Sequence, residues 1–253
     1  MSTVTASAPL SVPITLATTR RILAQLRHDH RTVALMLLVP TLLMVLLRYV
    51  FNNEQTFDRF APALLGIFPF VIMFLITSIA TLRERTTGTL ERLMTMPMNK
   101  MDLLFGYAFA FGLLAFLQVS LVALITVTLL GMDIAGSLWT LLLVAVLDAL
   151  LGMALGLFVS AFARTEFQAV QFMPAVVLPQ ILLGGLFVPR DQMHPVLEAI
   201  STVLPLSYAI DAMNAVTTSP DITAELVLDI LIIAGCALLA LVLGAATLRR
   251  RTP

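Results

Sequence analysis

The residues in this sequence that are best suited to bind a ligand or transfer a proton are polar side chains inside long apolar runs. Asp148 lies in the middle of "VAVLDALLGMALG", and Gln118 and Gln171 interrupt two other apolar stretches. Because polar groups are costly in lipid, such residues either contact a ligand or carry protons, or they pack against a partner between helices. For Asp148 packing is the favoured interpretation, with ligand contact or proton relay as the alternatives. Gly152 and Gly156 follow it as a GxxxG-like face, which predicts close helix packing.

The sequence contains no motif for catalysis. Its single lysine, Lys100, is followed by Met101, whereas a phosphate-binding P-loop requires Gly-Lys-Ser or Gly-Lys-Thr. His28 and His30 flank Asp29, but a solvated polar helix end explains these residues better than a metal pair does. We therefore predict no catalytic residue, no bound metal and no cofactor on this chain. If ATP drives the protein, ATP and Mg²⁺ bind to another polypeptide.

The composition places these residues in a membrane protein. Of the 253 residues, 59% are hydrophobic and only 12% are charged, and the mean hydropathy is +0.99. Soluble domains are about one-quarter charged, so an all-α integral membrane protein is predicted. The 15 basic and 15 acidic side chains cancel, which gives no indication of nucleic-acid binding. Six apolar runs are long enough to span a membrane as helices: 32–50, 60–82, 103–131, 137–163, 167–188 and 226–248.

The basic residues predict how these spans are oriented. With a cytosolic N-terminus, only Arg48, Arg59 and Arg190 fall on the outer side, and the other twelve basic residues fall on the inner side. Cytoplasmic loops carry the excess of Lys and Arg, so we predict a multi-pass protein of the cell membrane with both termini cytoplasmic. The inner residues are Arg20, Arg21, Arg27, Arg31, Arg83, Arg85, Arg92, Lys100, Arg164, Arg249, Arg250 and Arg251.

Two segments outside the spans are predicted to form further helices. Residues 14–30 combine apolar positions with a basic, polar side, which is typical of a helix lying in the membrane interface. We therefore interpret residues 1–31 as a cytosolic tail and interfacial helix, ahead of a transmembrane domain at 32–253. Between the fifth and sixth spans, Pro195 and Pro205 each stand where a helix can begin, so two short outer helices are predicted.

The loop between the second and third spans contains the polar stretch "RERTTGTLERLMTMP". Gly88 can cap a helix whose third residue is Glu91, apolar residues at helical spacing give this helix one apolar face, and Pro97 stops it. We predict a short amphipathic cytosolic helix within residues 84–97, with exposed acids at Glu84 and Glu91. Such a helix is either a lever that moves both spans or only a tether in the headgroup region.

This stretch resembles the loop between the second and third spans of ABC-2 type permeases, the membrane subunits of ATP-binding-cassette exporters. That loop typically reads as acidic residues, then Gly-Thr-Leu-Glu, a leucine pair and Thr-Pro. Thr86 stands where the family often has an acid, and Met96 replaces the threonine of Thr-Pro. By this resemblance, the residues that couple to an ATPase are Glu84, Gly88, Thr89, Leu90, Glu91, Arg92, Leu93 and Pro97.

A second match lies in "LLGGLFVPRDQMHPVLEAISTVLPLSYAIDAM". It is similar to the family's fifth span and outer re-entrant helices, with a small-residue pair, an aromatic residue and a proline. Gly184 and Gly185, before Pro189, also predict a break or bend in the fifth span. The resemblance covers nearly the whole chain and is strongest to the daunorubicin-resistance and nodulation-factor exporters. The candidate residues of a substrate path are Gln118, Asp148, Gln171, Gly184, Gly185 and Phe187.

The resemblance implies a permease subunit rather than an enzyme. Its partners would be a second permease subunit, identical or different, two ATPase chains that bind ATP and Mg²⁺, and membrane lipids. Its cargo would be a hydrophobic or amphipathic compound, such as a drug, a polyketide or a lipid-like molecule, exported by alternating access. The alternative function is that of an ion-coupled secondary transporter that uses Asp148.

Overall fold

A computed structural model describes residues 11–95 and 99–247, without the side chains of Leu90, Glu91, Met94 and Lys100. In this part of the chain every regular element is a helix, which confirms the all-α prediction. A 3-10 turn at Arg190–Gln192 precedes the eighth α-helix. The α-helices are α1 Val12–His28, α2 His30–Phe51, α3 Glu54–Thr86, α4 Thr89–Thr95, α5 Lys100–Thr128, α6 Leu138–Val159, α7 Glu166–Leu183, α8 Pro195–Ser201, α9 Pro205–Thr218 and α10 Ala224–Thr247.

Six of the described helices, α2, α3, α5, α6, α7 and α10, are long and apolar enough to cross a membrane, which confirms the six predicted spans. Some boundaries differ from the prediction. α3 continues past residue 82 to Thr86, and α7 ends at Leu183 rather than at 188. α7 stops there because Gly184 is its C-cap and Gly185 has φ +92°, a backbone conformation that only glycine adopts without strain.

The three predicted helices outside the spans are also present. α1 takes the place of the predicted interfacial helix, and α8 and α9 begin at Pro195 and Pro205, as the sequence predicts. Proline suits the first turn of a helix because the amide it lacks would have no intrahelical partner there. The axes of α8 and α9 meet at 87°, so the chain turns sharply between them.

The closest helix packing in the bundle joins α3 to α6. A Cβ atom placed on Gly152 would lie 2.3 Å from the carbonyl oxygen of Phe70, and one on Gly156 would lie 2.3 Å from that of Phe74. Both distances are shorter than any Cβ contact in real proteins, so only glycine allows this approach. The close packing predicted from Gly152 and Gly156 is therefore confirmed, and it lies within the subunit.

Hydrogen bonds between loops and helix ends define two ends of the bundle. At the α4 end, the buried carboxylate of Asp102 in α5 accepts a hydrogen bond of 2.7 Å from the amide of Ser11, directly before α1. At the α9 end, the amide of Gly136 donates to the carbonyl of Val216 in α9 at 3.0 Å. There the guanidinium of Arg48 in α2 also donates to the carbonyl of Leu130, at 3.1 Å.

Several sequence-based interpretations concern residues outside the described part. They are the start of the N-terminal tail at 1–10, the helix stop at Pro97, the end of the last span at 248 and the basic cluster at 249–251.

Candidate functional site

α4 is a short helix that follows α3 after a sharp turn. Gly88 lies in this turn with φ +71°, in the left-handed region that glycine adopts freely. Its carbonyl accepts the hydrogen bond of 3.1 Å from the amide of Arg92, so α4 begins where the predicted cap lies. The stretch predicted as one helix at 84–97 is divided in the structure, because Glu84 belongs to α3 and α4 covers Thr89–Thr95.

The side chains of α4 that the structure describes differ in exposure. Arg92 is exposed, whereas Thr89 and Leu93 are half-buried. Leu93 packs against a buried apolar cluster that contains Ile22 of α1 and Leu103 of α5. Among its described side chains, α4 therefore packs on the bundle through Leu93 and presents the charge of Arg92 outward. The structure gives no side-chain position for Leu90 and Glu91, and Pro97 lies outside the described residues, so contact of α4 with another protein stays a prediction.

Glu84 lies between helices rather than on the surface. Its Oε1 is 2.8 Å from Nη1 of Arg21 in α1, and its Oε2 accepts a hydrogen bond from the hydroxyl of Tyr107 in α5. The side chain is only 12% exposed, so the exposed position that we predicted for this acid is not found. The role of Glu84 in coupling stays a prediction, and on this geometry it would act through α1 and α5.

Glu84 is the middle residue of a charged triplet, Arg83 to Arg85, at the end of α3. The guanidinium of Arg83 makes two hydrogen bonds, of 2.6 and 3.0 Å, to the carboxylate of Glu166 at the start of α7. Nη2 of Arg85 donates to the hydroxyl of Thr247 in α10 at 3.2 Å. Successive residues of a helix point about 100° apart, so one turn of α3 reaches three different sides. The triplet thereby connects α3 to α1, α5, α7 and α10 immediately before α4.

A large cavity opens at the α9 end. Its volume is about 780 Å³, and its walls come from the start of α3, the turn after α7, and α8 and α9. Arg190 and Asp211 form an ion pair of 2.7 Å in its wall, and the Arg190 guanidinium lies over the ring of Tyr208, 5.2 Å from the centroid. Gly185 also lines the cavity. The ion pair thus joins the turn after α7 to α9.

The predicted substrate-path residues fall into two groups. Gln118 and Asp148 are fully buried inside the subunit, whereas Gln171 and Phe187 are exposed on or just after α7. Gly184 and Gly185 lie between α7 and the α9-end cavity; a Cβ on Gly184 would lie 2.7 Å from Cδ1 of Ile210 in α9. The structure does not bring the six residues to one surface, and a shared path stays a prediction.

Asp148 lies where α6 meets α3 and α9. A Cβ placed on Gly66 of α3 would be 3.2 Å from Oδ2 of Asp148 and 3.5 Å from Cγ of Met213 in α9. Neither carboxyl oxygen has a hydrogen-bond partner among the described residues. Gly66 thus provides the room for this carboxyl group. The geometry agrees with a residue packed between helices, and of the two predicted forms, protonated or partnered, the described part of the chain shows no partner.

Sequence reasoning missed the contacts that fix α1 to the bundle. The hydroxyl of Thr15 donates to Asp102 at 3.3 Å, and that of Thr19 donates to the carbonyl of Gly106 at 3.3 Å, so α1 directs polar side chains at α5. Arg21 was read only as part of a basic interfacial side. The available signal was that Arg21 and Glu84 are separated by two spans and so lie on the same side of the membrane. Spacing along the chain does not show which acid faces Arg21.

Most of this chain is similar in sequence to one protein family and to several known proteins. A family model described as ABC-2 type transporter matches residues 13–218. The chain is also similar to the probable multidrug ABC transporter permease YbhS of Escherichia coli, with 29% identity over 206 residues, which are 81% of this chain and 55% of YbhS.

Two further relatives show similar identity over shorter stretches. ABC transporter G family member 20 of Dictyostelium discoideum is 27% identical over 162 residues, 64% of this chain and 22% of that protein. The inner membrane transport permease YhhJ of E. coli is 26% identical over 147 residues, 58% of this chain and 39% of YhhJ. The chain therefore spans about half the length of YbhS and less of the other two.

Proposed function

Because this chain belongs to the ABC-2 type transporter family, we propose that it is the membrane subunit of an exporter driven by a separate ATPase. It is a multi-pass membrane protein, and its sequence contains no P-loop, so ATP and Mg²⁺ would bind to the partner chain. The observation that carries the proposal is the α3–α4 junction. There the charged triplet ties the helix before α4 to four others, so a force applied to α4 reaches most of the bundle.

The proposed orientation places the α4 end in the cytosol. Support comes from the basic residues: of the twelve in the described part of the chain, only Arg48, Arg59 and Arg190 lie at the α9 end. Single cysteines at Asp133 and Gln192 in a Cys236→Ala background should react with a membrane-impermeant thiol reagent added to intact cells, and a cysteine at Thr87 should not. All three positions are exposed, so the matched contrast reports sidedness. Labelling at Thr87 would reverse the orientation and remove α4 from the ATP-containing side.

A second permease subunit is part of the proposal. Only 17% of the most apolar stretch of α2, and the same share of α7, is buried within the subunit, against 67% for α6. These two spans therefore present apolar surface that lipid or a second subunit must cover. We propose a homo- or heterodimer in which α2, α3 and α7 rearrange during alternating access. The scarcity of exposed polar groups on these spans favours a hydrophobic or amphipathic cargo.

The α4 lever is tested by changes that alter its surface or its entry angle. Glu91→Arg reverses a charge near the start of α4, where the helix dipole disfavours a cation by up to about 1 kcal/mol. Gly88→Pro replaces φ +71° by about −65° and redirects α4. Both variants should insert and dimerise, yet the co-expressed ATPase should co-purify poorly or hydrolyse ATP without response to cargo.

The control for the lever test is Glu198→Arg, an equal charge reversal on an exposed residue at the α9 end. It should leave recovery of the ATPase unchanged. If Glu91→Arg and Gly88→Pro both assemble and transport as the parent does, α4 is a tether and not a lever.

A second candidate function rests on Asp148. A carboxyl group that is fully buried in a span with no partner among the described residues is a possible proton carrier. In an ion-coupled transporter, Asp148→Asn would abolish transport, and transport would follow a proton gradient without ATP. In the proposed exporter, Asp148→Asn keeps most of the transport, because the amide fills the same space beside Gly66. Transport by proteoliposomes under an imposed pH gradient separates the two.

A further inference from the structure

A second cavity lies at the α4 end, among α1, α2, α3 and α5. Its volume is about 390 Å³. Its walls include the first two residues of the charged triplet, Arg83 and Glu84, and Tyr107, which donates to Glu84. Thr87 and Thr89, on either side of the turn into α4, complete that wall. The cavity therefore lies directly beside the α3–α4 junction.

The polarity of this cavity changes along the direction of the helices. Ile76 and Ile79 of α3 line one end of the cavity. Arg83 of α3 and Thr87, directly after α3, line the other end. At about 1.5 Å per residue, Ile76 lies about 15 Å from the end of α3, which is about half of a 30 Å hydrocarbon core. With the orientation proposed above, the cavity spans the inner leaflet, with its polar end at the headgroups and its apolar end towards the membrane centre. This gradient matches a molecule with a polar head and an apolar body.

The two residues of the charged triplet in the cavity wall are already paired with opposite charges. Arg83 binds Glu166, and Glu84 binds Arg21 and Tyr107. Asp29 accepts hydrogen bonds from the amide and the hydroxyl of Thr32, at 3.1 and 2.7 Å, and these bonds lower its pKa. An anionic head would find no cation without a partner in the described wall, and Asp29, which has no ion pair among the described residues, is held by both donors of Thr32. An uncharged or zwitterionic head fits better.

One side chain in the wall is free to bind such a head. Gln25 of α1 lines the cavity, is exposed, and makes no hydrogen bond within the part of the chain that the structure describes. Its amide offers both a donor and an acceptor, as hydroxyl, ester or amide head groups require. The volume lies near the lower end of the 300 to 1,000 Å³ typical of small-molecule sites, so the apolar body is compact.

We infer that this α4-end cavity is a binding site for a compact amphipath with an uncharged or zwitterionic head, which reaches it from the inner leaflet. The inference rests on the proposed function only for the orientation. A ligand in the cavity contacts Glu84 and Tyr107, whose existing hydrogen bonds connect the end of α3 with α1 and α5 directly beside α4. The α3–α4 junction therefore responds to molecules of the chemical class that this cavity binds.

The test is photolabelling of the full chain in phosphatidylcholine vesicles without an ATPase. Three probes share one alkyl chain with a diazirine and differ in the head: a monoacylglycerol, a fatty acid and a fatty amine. The monoacylglycerol should modify peptides containing residues 22–29 and 76–87, as mapped by mass spectrometry. The fatty acid should do so much less, and the fatty amine should not exceed the monoacylglycerol, because Asp29 is held by Thr32. Equal labelling by all three probes, or labelling confined to other segments, would overturn the inference.

Two variants in the cavity wall test whether the labelled site is this cavity. Ala80 lines the cavity, and Ala80→Phe should fill part of it and reduce the labelling by about tenfold or more. The control is Ala246→Phe, an equal change at an exposed position near the same end of α10, which should leave labelling unchanged. Gln25→Ala cannot disturb the fold through a lost partner, and it should reduce labelling by about threefold, the effect of one hydrogen bond. Parental labelling in both cavity variants would contradict the site.

Additional arms identify the source of the ligand. Nile red, an uncharged amphipath that is not a lipid, should displace the monoacylglycerol probe if the cavity takes cargo-like molecules. Labelling by a photoactivatable phosphatidylcholine that Nile red does not displace would instead assign the cavity to a bilayer lipid with the same head-and-body chemistry. Because no ATPase is present, failure of this assay is distinct from failure of the coupling test on α4.

Discussion

The two ends of α3 are built differently. At the α4 end, each residue of the charged triplet is bonded to a side chain of another helix. At the α9 end, Asp58 and Arg59 of the same helix border a cavity of about 780 Å³. A displacement of α3 that begins at the α4 end is therefore transmitted through side-chain contacts with four other helices. Of the two cavities described beside α3, the one at the α9 end is about twice as large as the one beside the charged triplet. One helix thus combines a restrained end, where force can enter, with an end that has room to move.

The two ends act together only if the middle of α3 is rigid. The packing of Gly152 and Gly156 of α6 on the backbone of α3 favours this rigidity, because the two helices are so close that there is no room for a Cβ atom between them. Substitutions can change each part of this arrangement separately. Their expected effects on stability decrease from the middle of α3, through the charged triplet, to the α9 end.

The largest effect is expected from a methyl group in the middle. Gly152→Ala or Gly156→Ala places a Cβ 2.3 Å from a carbonyl oxygen of α3, and backbone atoms cannot move aside as a flexible side chain can. Each variant should lose about 2 to 3 kcal/mol of unfolding free energy, as overpacked cores do. Thermal unfolding of the purified protein in detergent measures the loss.

The matched control for the glycines is Gly235→Ala. No heavy atom lies within 4 Å of a Cβ built on this α10 residue, so alanine should be neutral or should stabilise the helix by about 0.5 to 1 kcal/mol. Equal unfolding temperatures for Gly235→Ala and Gly152→Ala would show that α3 and α6 are not in close contact.

An intermediate effect is expected in the charged triplet. Glu84→Gln removes the charge that faces the Arg21 guanidinium, in a pair whose side chains are 12% and 26% exposed. Such a change should cost about 2 kcal/mol, less than for a fully buried pair because Arg21 retains some contact with water. It should also uncouple ATP hydrolysis from cargo, since α1 loses its connection to the end of α3.

The neighbouring residue of the triplet provides the comparison for Glu84. Arg83 and Glu166 form a shorter ion pair, but their side chains are 58% and 51% exposed, so Arg83→Gln should cost only about 0.2 to 1 kcal/mol. A double-mutant cycle of Arg21→Met and Glu84→Gln gives the coupling energy of the less exposed pair directly. A cycle energy near zero would remove the reason for a transmitting role.

The smallest effect on stability is expected at the α9 end. Asp211→Asn breaks the ion pair with Arg190, which is partly exposed, and should cost about 1 kcal/mol or less. Its consequence should be local: the turn after α7 separates from α9, and the cavity opens. A cysteine at Asn214, in the cavity wall, should then react several times faster with a soluble thiol reagent in a Cys236→Ala background. Unchanged reactivity would show that the Arg190–Asp211 ion pair does not limit access of the reagent to the cavity.

The control for the Asp211→Asn experiment is a cysteine at Thr87, next to the α4 end of α3. Its reaction rate in permeabilised membranes should be unchanged by Asp211→Asn, because the intervening contact of α3 with α6 is intact. A change at Thr87 would mean that the two ends are coupled even in the absence of an ATPase.

Much of the fold could be predicted because it depends on properties that a linear sequence carries. A span requires about 20 apolar residues, and the six runs predicted from that rule correspond to six helices. Pro195 and Pro205 correctly marked two helix starts, and Gly152 and Gly156 correctly indicated close packing. The boundaries were less accurate. Hydropathy extended the fifth span to residue 188, whereas α7 ends at Leu183, where Gly184 and Gly185 had indicated a break or bend.

The candidate site was predicted only in outline. The turn at Gly88 and the start of α4 followed from local rules of helix capping, which involve neighbours in the chain. The exposed position assigned to Glu84 did not hold, because an acid at the end of a span can face either the solvent or a helix from elsewhere in the chain. Its contact with Arg21 joins residues far apart in sequence, and no spacing rule selects that pair.

The sequence by itself determined that this protein lies in a membrane, which segments form its helices and where the α3–α4 turn begins, since all of these depend on the free energy of local segments in lipid or water. Only the tertiary structure decided which charges pair, that three consecutive side chains at the end of α3 reach four other helices, and that cavities of different polarity lie at its two ends. Those features depend on how helices pack around each other, and that packing is selected by contacts between residues that are distant along the chain.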